Sequence, residues 1–392
     1  MLSPATTVKK HILPIIVLAQ FACTSVWFAG NAVIEPLTQV YNLPASAMAY
    51  LTSAVQMGFI GGTLWYAIFS IADRYSPSKV FFWSACMAAA FNLAVMYSGN
   101  TLISLAILRF FTGVFLAGIY PVGMKIAADY FEKGLGKSLG FLVGALVLGT
   151  AFPHFLRFTN TGLAWQYVIA FTSVLTLAGG LAIYLFVPNG PYRKAANKFE
   201  VKAILSSFQY KNFRSAALGY FGHMWELYAF WAFVPLVVSI YNQQHPVASL
   251  SVSFYSFVVI GIGSLGCIAA GYLSVRWGAR KTARLSLFIS AVCCLSLPLV
   301  IQTSPLLFIV FMLIWGLAVV ADSPMFSTLV AQNAEAKFKG TALTIVNCIG
   351  FSITIVSIQI VDWLMLNHIS PWVFTLLALG PVLGLLAQRK VE

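Results

Sequence analysis

Apolar residues dominate this chain in stretches long enough to cross a bilayer as helices. A hydrocarbon core roughly 30 Å thick needs about 20 apolar residues per helix, with every backbone amide hydrogen-bonded inside it. Six such runs precede a polar segment at residues 188–214, and six follow it. We number the predicted helices spans 1 to 12, at residues 12–37, 46–71, 80–98, 102–130, 138–158, 163–187, 216–240, 247–275, 283–301, 305–331, 340–365 and 371–386.

This pattern predicts an all-α integral membrane protein with twelve transmembrane helices. Its domains are expected at residues 1–187, an N-terminal six-helix bundle, and 215–392, a C-terminal six-helix bundle, joined by a linker at 188–214. With 60% hydrophobic and 8% charged residues, the chain has too little polar surface to cover a water-soluble globule. The lipid bilayer must therefore be its solvent.

The net charge of +13 comes from basic residues that are distributed unevenly among the loops. Of the 23 Lys and Arg, 20 lie at the two chain ends or in the loops after even-numbered spans, a side that we call the basic face. The positive-inside rule then predicts that both termini and the linker are cytoplasmic, in a multi-pass protein of the inner (plasma) membrane. Basicity sets topology here, and no nucleic-acid partner is expected.

The two halves repeat each other at equivalent places. The loop at residues 72–79, after span 2, aligns with residues 274–281, after span 8. In span 4, Gly113 and Pro121 correspond to Gly316 and Pro324 in span 10. Internal repeats of this kind are typical of transporters built from two related bundles.

Two motifs resemble those of the major facilitator superfamily. The loop after span 2 holds an acidic-basic pair, and span 4 holds Arg109, followed by Gly113, Tyr120 and Pro121, which is similar to the buried-arginine motif that the family associates with proton coupling. The resemblance covers the whole chain and implies two pseudo-symmetric bundles that work by alternating access. It also implies a latch between the halves on the basic face, formed by Asp73, Arg74, Asp129, Arg276 and Arg280.

Span 1 has a polar stripe in an otherwise apolar helix. Gln20, Thr24, Trp27, Asn31 and Glu35 are separated by steps of four, three, four and four residues, which places them on one helical face. The stripe predicts that span 1 lines a central cavity. Interhelical hydrogen bonding by the same residues is the alternative.

A buried arginine in span 4 needs a partner, because a charge in hydrocarbon costs about 2.5–3.5 kcal/mol or more. Arg109 and Tyr120 share a helical face, and Arg109 lies at nearly the same depth as Glu35. We therefore expect Arg109 to pair with Glu35. Arg157 in span 5 is a competing partner for this carboxylate.

Span 7 contains the most aromatic stretch of the chain, at residues 220–231, which ends with Trp231. Within it, Tyr220, His223, Glu226 and Phe230 are predicted to share one face. An imidazole and a carboxylate three residues apart can share a proton, so His223 and Glu226 form a candidate proton switch. The alternative is a neutral, hydrogen-bonded glutamate that serves packing.

Two further polar residues complete the candidate pathway. Asp322 in span 10 is expected to act like Glu226 in substrate or proton binding. Asn347 in span 11 belongs to a milder polar stripe, which serves either as a ligand or as a contact between helices.

These residues predict proton-coupled uptake of a small organic solute, with an aromatic-rich cavity that favours a ring-bearing substrate. Efflux of a metabolite or drug is the alternative, and a non-transporting membrane sensor is a reading from another class. We find no nucleophile-base motif, metal-ligand cluster or phosphate-binding loop, so neither an enzyme, a metal site nor a cofactor is predicted. The chain is expected to act as a monomer with the proton as coupling ion.

Overall fold

The computed structural model describes residues 11–131, 135–159, 164–193, 207–247, 249–335 and 338–389. Within these ranges, nine helices are long and apolar enough to cross a membrane. Spans 1, 2 and 3 supply the remaining crossings, and together they give the twelve-helix arrangement. The protein is therefore an all-helical, multi-pass membrane protein, as the apolar pattern predicts.

The spans follow the chain in order. Spans 1 to 6 comprise Ile12–Thr24 with Ala29–Ala32 and Ile34–Tyr41, then Ala47–Ile68, Pro77–Ala94, Leu102–Leu116 with Tyr120–Tyr130, Leu135–Thr159 and Gln166–Phe186. Spans 7 to 12 comprise Lys211–Gln244, then Val252–Gly261 with Gly263–Trp277, Ala279–Val300, Pro305–Ala321 with Ser323–Asn333, Lys339–Asn367 and the 3₁₀ helix Pro371–Ala378 continued by Leu379–Arg389. A short helix, Ile71–Arg74, lies between spans 2 and 3.

Spans 4 and 10 are interrupted at equivalent points. In span 4 the second helix begins at Tyr120, so Pro121 occupies its first turn, and in span 10 Pro324 occupies the first turn of the helix after Asp322. Proline is tolerated there because the first amides of a helix have no partner within it. Proline thus follows a helix interruption at the same point of both halves.

Span 1 is broken where the sequence predicts a continuous helix. Regular helix ends at Thr24, resumes over Ala29–Ala32 and is interrupted again at Val33. The predicted stripe assumed one uninterrupted helical period across this stretch, so its angles do not hold beyond Thr24.

The two halves meet most extensively along two pairs of helices, span 2 with span 11 and span 5 with span 8. Between spans 2 and 11, Gln359 donates a hydrogen bond to Ser53 Oγ at 2.8 Å. Between spans 5 and 8, Phe155 packs on Phe257 with ring centroids 5.0 Å apart. All four residues lie toward the end of the molecule opposite the basic face, where the halves are closely packed.

Two glycines related by the repeat allow close helix packing inside each half. A Cβ atom on Gly113 would overlap the carbonyl oxygen of Val55 in span 2, and one on Gly316 would overlap that of Val259 in span 8. Small residues let transmembrane backbones approach closely, and dispersion contacts then hold the helices together. Spans 2 and 4 thus pack as spans 8 and 10 do.

We expect Gly113→Ala and Gly316→Ala each to destabilise the protein by about 1–3 kcal/mol, because a backbone must move to admit the methyl group. Thermal unfolding of the purified protein in detergent measures the effect. Gly61→Ala is the matched control, since a Cβ there meets nothing within 4 Å. If Gly113→Ala unfolds at the temperature of Gly61→Ala, the close approach of spans 2 and 4 is contradicted.

Candidate functional site

A cavity of about 900 Å³ lies between the two halves. Spans 2, 4 and 5 line it from one half, and spans 7, 8, 10 and 11 line it from the other. It extends to helix ends on the basic face, where Asp73, Lys125 and Lys339 form part of its wall. Its volume and its walls from both halves are those expected of a small-molecule site between two bundles.

Aromatic rings close the deep end of the cavity. Tyr228, Trp231 and Phe351 line it and pack against rings of the N-terminal half that lie behind them. The contacts include Trp27 with Tyr228 at 5.8 Å, Phe28 with Trp231 at 6.1 Å and Phe59 with Phe351 at 4.5 Å between ring centroids. We call these six residues the aromatic cluster: Trp27, Phe28, Phe59, Tyr228, Trp231 and Phe351. The cluster separates the cavity from the packed end of the molecule.

Arg109 is buried inside the N-terminal half and bonds to neutral oxygen atoms. Its guanidinium donates to the carbonyl oxygen of Val26 at 3.1 Å, to that of Trp27, and to Asn92 Oδ1 at 3.1 Å. The break in span 1 frees the two carbonyl groups, since Val26 and Trp27 lie outside regular helix. In a membrane such groups need a partner from another helix, and Arg109 provides it.

The predicted pair between Arg109 and Glu35 does not form. Glu35 is exposed near the end of span 1, whereas Arg109 is 2% exposed and uses its donors on the span 1 break and Asn92. Geometry explains the difference, because the broken helix brings its carbonyl groups, rather than its terminal carboxylate, to the arginine. Arg157, the competing partner for Glu35, is partly buried in span 5.

Span 1 does not contribute to the cavity wall among the described lining residues, contrary to the stripe's prediction. Gln20 is buried against Gly123 of span 4, and Thr24 against Gly149 of span 5. Asn31 donates to Thr52 Oγ1 of span 2 at 2.8 Å. The interhelical alternative describes Asn31, whereas the Thr24 hydroxyl donates within its own helix, to the carbonyl oxygen of Gln20 at 2.8 Å. Trp27 contributes through the aromatic cluster.

Span 7 presents two faces rather than the single predicted one. Tyr220, Tyr228 and Trp231 line the cavity, together with Met224 and Leu227. His223, Glu226 and Phe230 turn toward spans 9 and 10 instead. The sequence does contain the pattern of the cavity face, because positions 220, 224, 227, 228 and 231 follow the helical period. The prediction grouped Tyr220 with His223 and Glu226 instead, which is wrong.

Behind the cavity wall, span 7 is joined to span 10 by two polar contacts. The Nδ1 atom of His223 lies 2.8 Å from Oδ1 of Asp322, and both side chains are buried. Glu226 Oε1 accepts hydrogen bonds from Trp315 Nε1 and Ser290 Oγ, each at 2.6 Å, and from Cys294 Sγ at 3.1 Å. His223 therefore pairs with Asp322, and the predicted His223–Glu226 pair is replaced by two separate contacts.

The predicted latch residues lie at the basic-face end of the cavity. Lys125 Nζ is 2.8 Å from Asp73 Oδ1 and 3.5 Å from Asp129 Oδ1, so both carboxylates pair inside the N-terminal half. Arg74 and Arg276 are exposed, and Arg280 is partly exposed at the start of span 9. The cavity extends between the halves at this end. The two carboxylates of the predicted latch pair with Lys125, a residue that the motif does not include.

Arg193, at the start of the linker, is a contact that the sequence did not single out. Its guanidinium donates to the carbonyl oxygens of Asp73 and Tyr75 at 2.6 and 2.7 Å. The short helix Ile71–Arg74 ends here, and its last carbonyl groups need donors. Ser76 adds a hydrogen bond to Asn189 at 2.7 Å. The described start of the linker is thus fixed to the N-terminal half.

Of the predicted pathway residues, the structure places Tyr120, Trp231 and Asn347 on the cavity wall. Trp27 lies behind the wall, in the aromatic cluster. Arg109, His223, Glu226 and Asp322 are absent from the described lining and lie within the bundles. Gln20, Asn31 and Glu35 are likewise absent from it. The cavity is therefore lined by neutral groups at depth, and the ionisable groups surround it from behind.

Comparison with known proteins agrees with this architecture. The sequence matches the Major Facilitator Superfamily over residues 16–358, and the chain belongs to that family. Members of this superfamily are membrane transporters and not enzymes. The human organic anion transporter MFSD10 (TETRAN) has a similar structure, with a TM-score of 0.73, 13% identity and coverage of 97% of this chain and 99% of that one. At this identity the likeness shows the fold alone.

Two fungal proteins are similar in sequence over part of the chain. Efflux pump FUBT of Fusarium oxysporum is 26% identical over 200 residues, which are 48% of this chain and 34% of the pump. An efflux pump of Gibberella moniliformis is 26% identical over 184 residues, which are 45% of this chain and 30% of that pump. The chain thus spans about a third of the length of these curated relatives.

We expect Arg109→Met to destabilise the protein, since three buried acceptors would lose their donor at a cost of about 1–3 kcal/mol each. Arg109→Lys should restore stability only in part, because one ammonium cannot reproduce the guanidinium fork. Thermal unfolding measures both, with exposed Arg74→Met as control. Glu35→Gln should leave stability unchanged, and a loss equal to that of Arg109→Met would support the ion pair that the sequence predicts.

Proposed function

We propose that this chain is a secondary active transporter that moves a small organic solute by alternating access. The supporting observation is the cavity, which both halves line and which reaches the basic face but ends at the aromatic cluster. A rocking movement of two bundles about such a site exposes it to each side in turn. One chain provides both walls, so we propose that a monomer is sufficient.

The proposed orientation places the basic face in the cytoplasm of a plasma (inner) membrane, with both chain termini on that side. The conformation described here then faces inward. Closure of this end would bring the latch residues of the two halves together, with Asp73 and Asp129 exchanging Lys125 for the arginines Arg276 and Arg280. Opening of the other end would separate contacts such as that between Gln359 and Ser53.

Proton coupling is proposed to reside in the C-terminal half. His223, Asp322 and Glu226 are titratable and buried beside the cavity wall. His223 Nδ1 lies 2.8 Å from Asp322 Oδ1, and Glu226 follows His223 by three residues in the same helix. The groups that face Glu226 from spans 9 and 10 are Ser290, Cys294 and Trp315. A proton bound by this set changes the charge buried in the bundle, and that charge biases the conformations that admit water to it.

Export is the direction that the relatives favour, because the two fungal proteins are efflux pumps by name. We therefore propose proton-solute antiport as the working direction. Uptake by symport, which the polar residues of the sequence predict, is the alternative. The Gly-Pro pair of the family's drug/proton antiporters is missing, with Ala145 at the expected proline, which favours a metabolite over a drug as the exported solute.

Direction and coupling can be measured in proteoliposomes that hold an imposed pH gradient and are bathed in a mixture of ring-bearing metabolites. Mass spectrometry identifies the solutes that become enriched inside. Antiport predicts enrichment in liposomes with an acidic interior, and symport predicts it when the exterior is acidic. Enrichment that ignores the gradient in both arrangements would contradict proton coupling, and no enrichment or exchange of any solute would contradict transport.

We expect Glu226→Gln and Asp322→Asn to reduce gradient-driven enrichment to the level of protein-free liposomes, because neither amide can bind and release the coupled proton. Exchange of labelled solute at equal pH should persist, which separates loss of coupling from misfolding. Glu335→Gln, an exposed carboxylate outside the membrane spans, is the matched control. Full gradient-driven enrichment by both variants would refute the proposed coupling site.

A further inference from the structure

We infer that the cavity selects an uncharged, ring-bearing solute through four neutral hydrogen-bonding side chains, Tyr120, Tyr220, Tyr228 and Asn347. This inference rests on the proposed transport function, since it names the substrate class of the same cavity. Both halves contribute to the set, so a solute bound by it would contact the two bundles that must move.

Three tyrosines line the same cavity. Tyr120 comes from span 4, and Tyr220 and Tyr228 come from span 7, two turns apart on the cavity face. None of these hydroxyls forms a hydrogen bond with a side chain or backbone group in the part of the chain that the structure describes. Each can therefore donate to or accept from a solute.

Asn347 of span 11 completes the set on the other side of span 7. It lies on the same helical face as Gly350 and Phe351, three and four residues further along. Gly350 packs directly on the ring of Tyr220, and the Phe351 ring is 5.1 Å from that of Tyr228. The side-chain amide of Asn347 lines the cavity without a hydrogen bond to a described residue. Its amide offers both donors and an acceptor beside the phenol groups.

Charge is confined to the open end of the cavity. The charged residues of the described lining are Asp73, Lys125 and Lys339. Asp73 and Lys339 lie at helix ends on the basic face, and Lys125 reaches Asp73 from within the second helix of span 4. Asp73 and Lys125 pair with each other at 2.8 Å. Arg109 and the carboxylates Glu226 and Asp322, which could neutralise an ionic solute deeper in the membrane, are held behind the wall by their own partners. An ion bound at depth would lose its hydration without a counter-charge, and that loss is costly.

The deep end of the cavity offers an aromatic surface on which a ring of the solute can pack. Tyr228, Trp231 and Phe351 face the cavity and are backed by Trp27, Phe28 and Phe59. Aromatic side chains favour offset-stacked or edge-to-face contacts with other rings, beyond the area that they bury. Neutral hydrogen-bonding groups above an aromatic floor suit a phenol, ketone, ester or amide carried on a ring system.

A matched pair of probes tests the charge preference on the purified full-length protein. We would measure binding of 1,8-dihydroxyanthraquinone and of its 3-carboxylate derivative by titration calorimetry at neutral pH, where the second compound is an anion. The inference predicts that the neutral compound binds at least about tenfold more tightly, because the carboxylate has no cation at depth. Equal or tighter binding of the anion, or no binding of either compound, would overturn the inference.

Variants identify the residues responsible. Tyr120→Phe, Tyr220→Phe and Tyr228→Phe keep the ring and remove only the hydroxyl, so each should weaken binding of the neutral probe about 2- to 10-fold. Tyr184→Phe, whose ring is exposed on the outer surface of span 6, is the matched control and should bind like the unmodified protein. If all three cavity variants bind as Tyr184→Phe does, the tyrosines do not select the solute.

Different results would contradict the substrate class and the transport function. Gradient-driven enrichment of an ionic solute in proteoliposomes, combined with unchanged affinity in the three tyrosine variants, would overturn the substrate class and leave the transporter intact. Tight binding of the neutral probe without exchange of any solute would contradict transport and retain the site.

Discussion

The hydrogen bonds from Arg109 to the carbonyl groups of Val26 and Trp27 set the geometry of the closed end of the cavity. Hydrocarbon offers no partner for a broken helix, so the interruption of span 1 depends on a donor from another span. That interruption directs Trp27 and Phe28 toward span 7, where they pack on Tyr228 and Trp231. A buried charge and a helix break, each unfavourable alone in the membrane, stabilise each other here. The aromatic cluster depends on both.

The two halves use the space around the cavity differently, although they share a repeat. In the N-terminal half the buried arginine donates three hydrogen bonds to neutral oxygen atoms and is suited to hold a fixed geometry. In the C-terminal half the buried polar groups are titratable, with His223 beside Asp322 and Glu226 among three donors. In the proposed mechanism the two halves would therefore have different roles. The N-terminal half would hold the closed end of the cavity in place, and the C-terminal half would respond to protons. The cavity wall between them stays neutral at depth.

The two halves share the positions of their close helix contacts but not the positions of their buried charged residues. Gly113 and Gly316 allow the same close approach in the two halves, and Pro121 and Pro324 begin the second helices of spans 4 and 10. Steric requirements of helix contacts are thus retained at equivalent positions. The polar residues of spans 1 and 7 instead differ between the halves, as expected if the bundles share a scaffold and diverge in the groups that bind solute or proton.

The sequence by itself determined the class of protein, the number of spans and the superfamily, because the lengths of apolar runs and the local motifs are properties of neighbouring residues. It also identified most of the buried charged and histidine residues, among them Arg109, His223, Glu226 and Asp322. Only the tertiary structure decided their partners: Arg109 bonds to a break in span 1 rather than to Glu35, and His223 to Asp322 rather than to Glu226. Helical period gives the direction of a side chain around its own axis, but a pair across helices depends on how the helices pack and where they break. For the same reason Tyr220 and Tyr228 were recognisable as aromatic residues of span 7, and their place on the cavity wall became clear only in the folded chain.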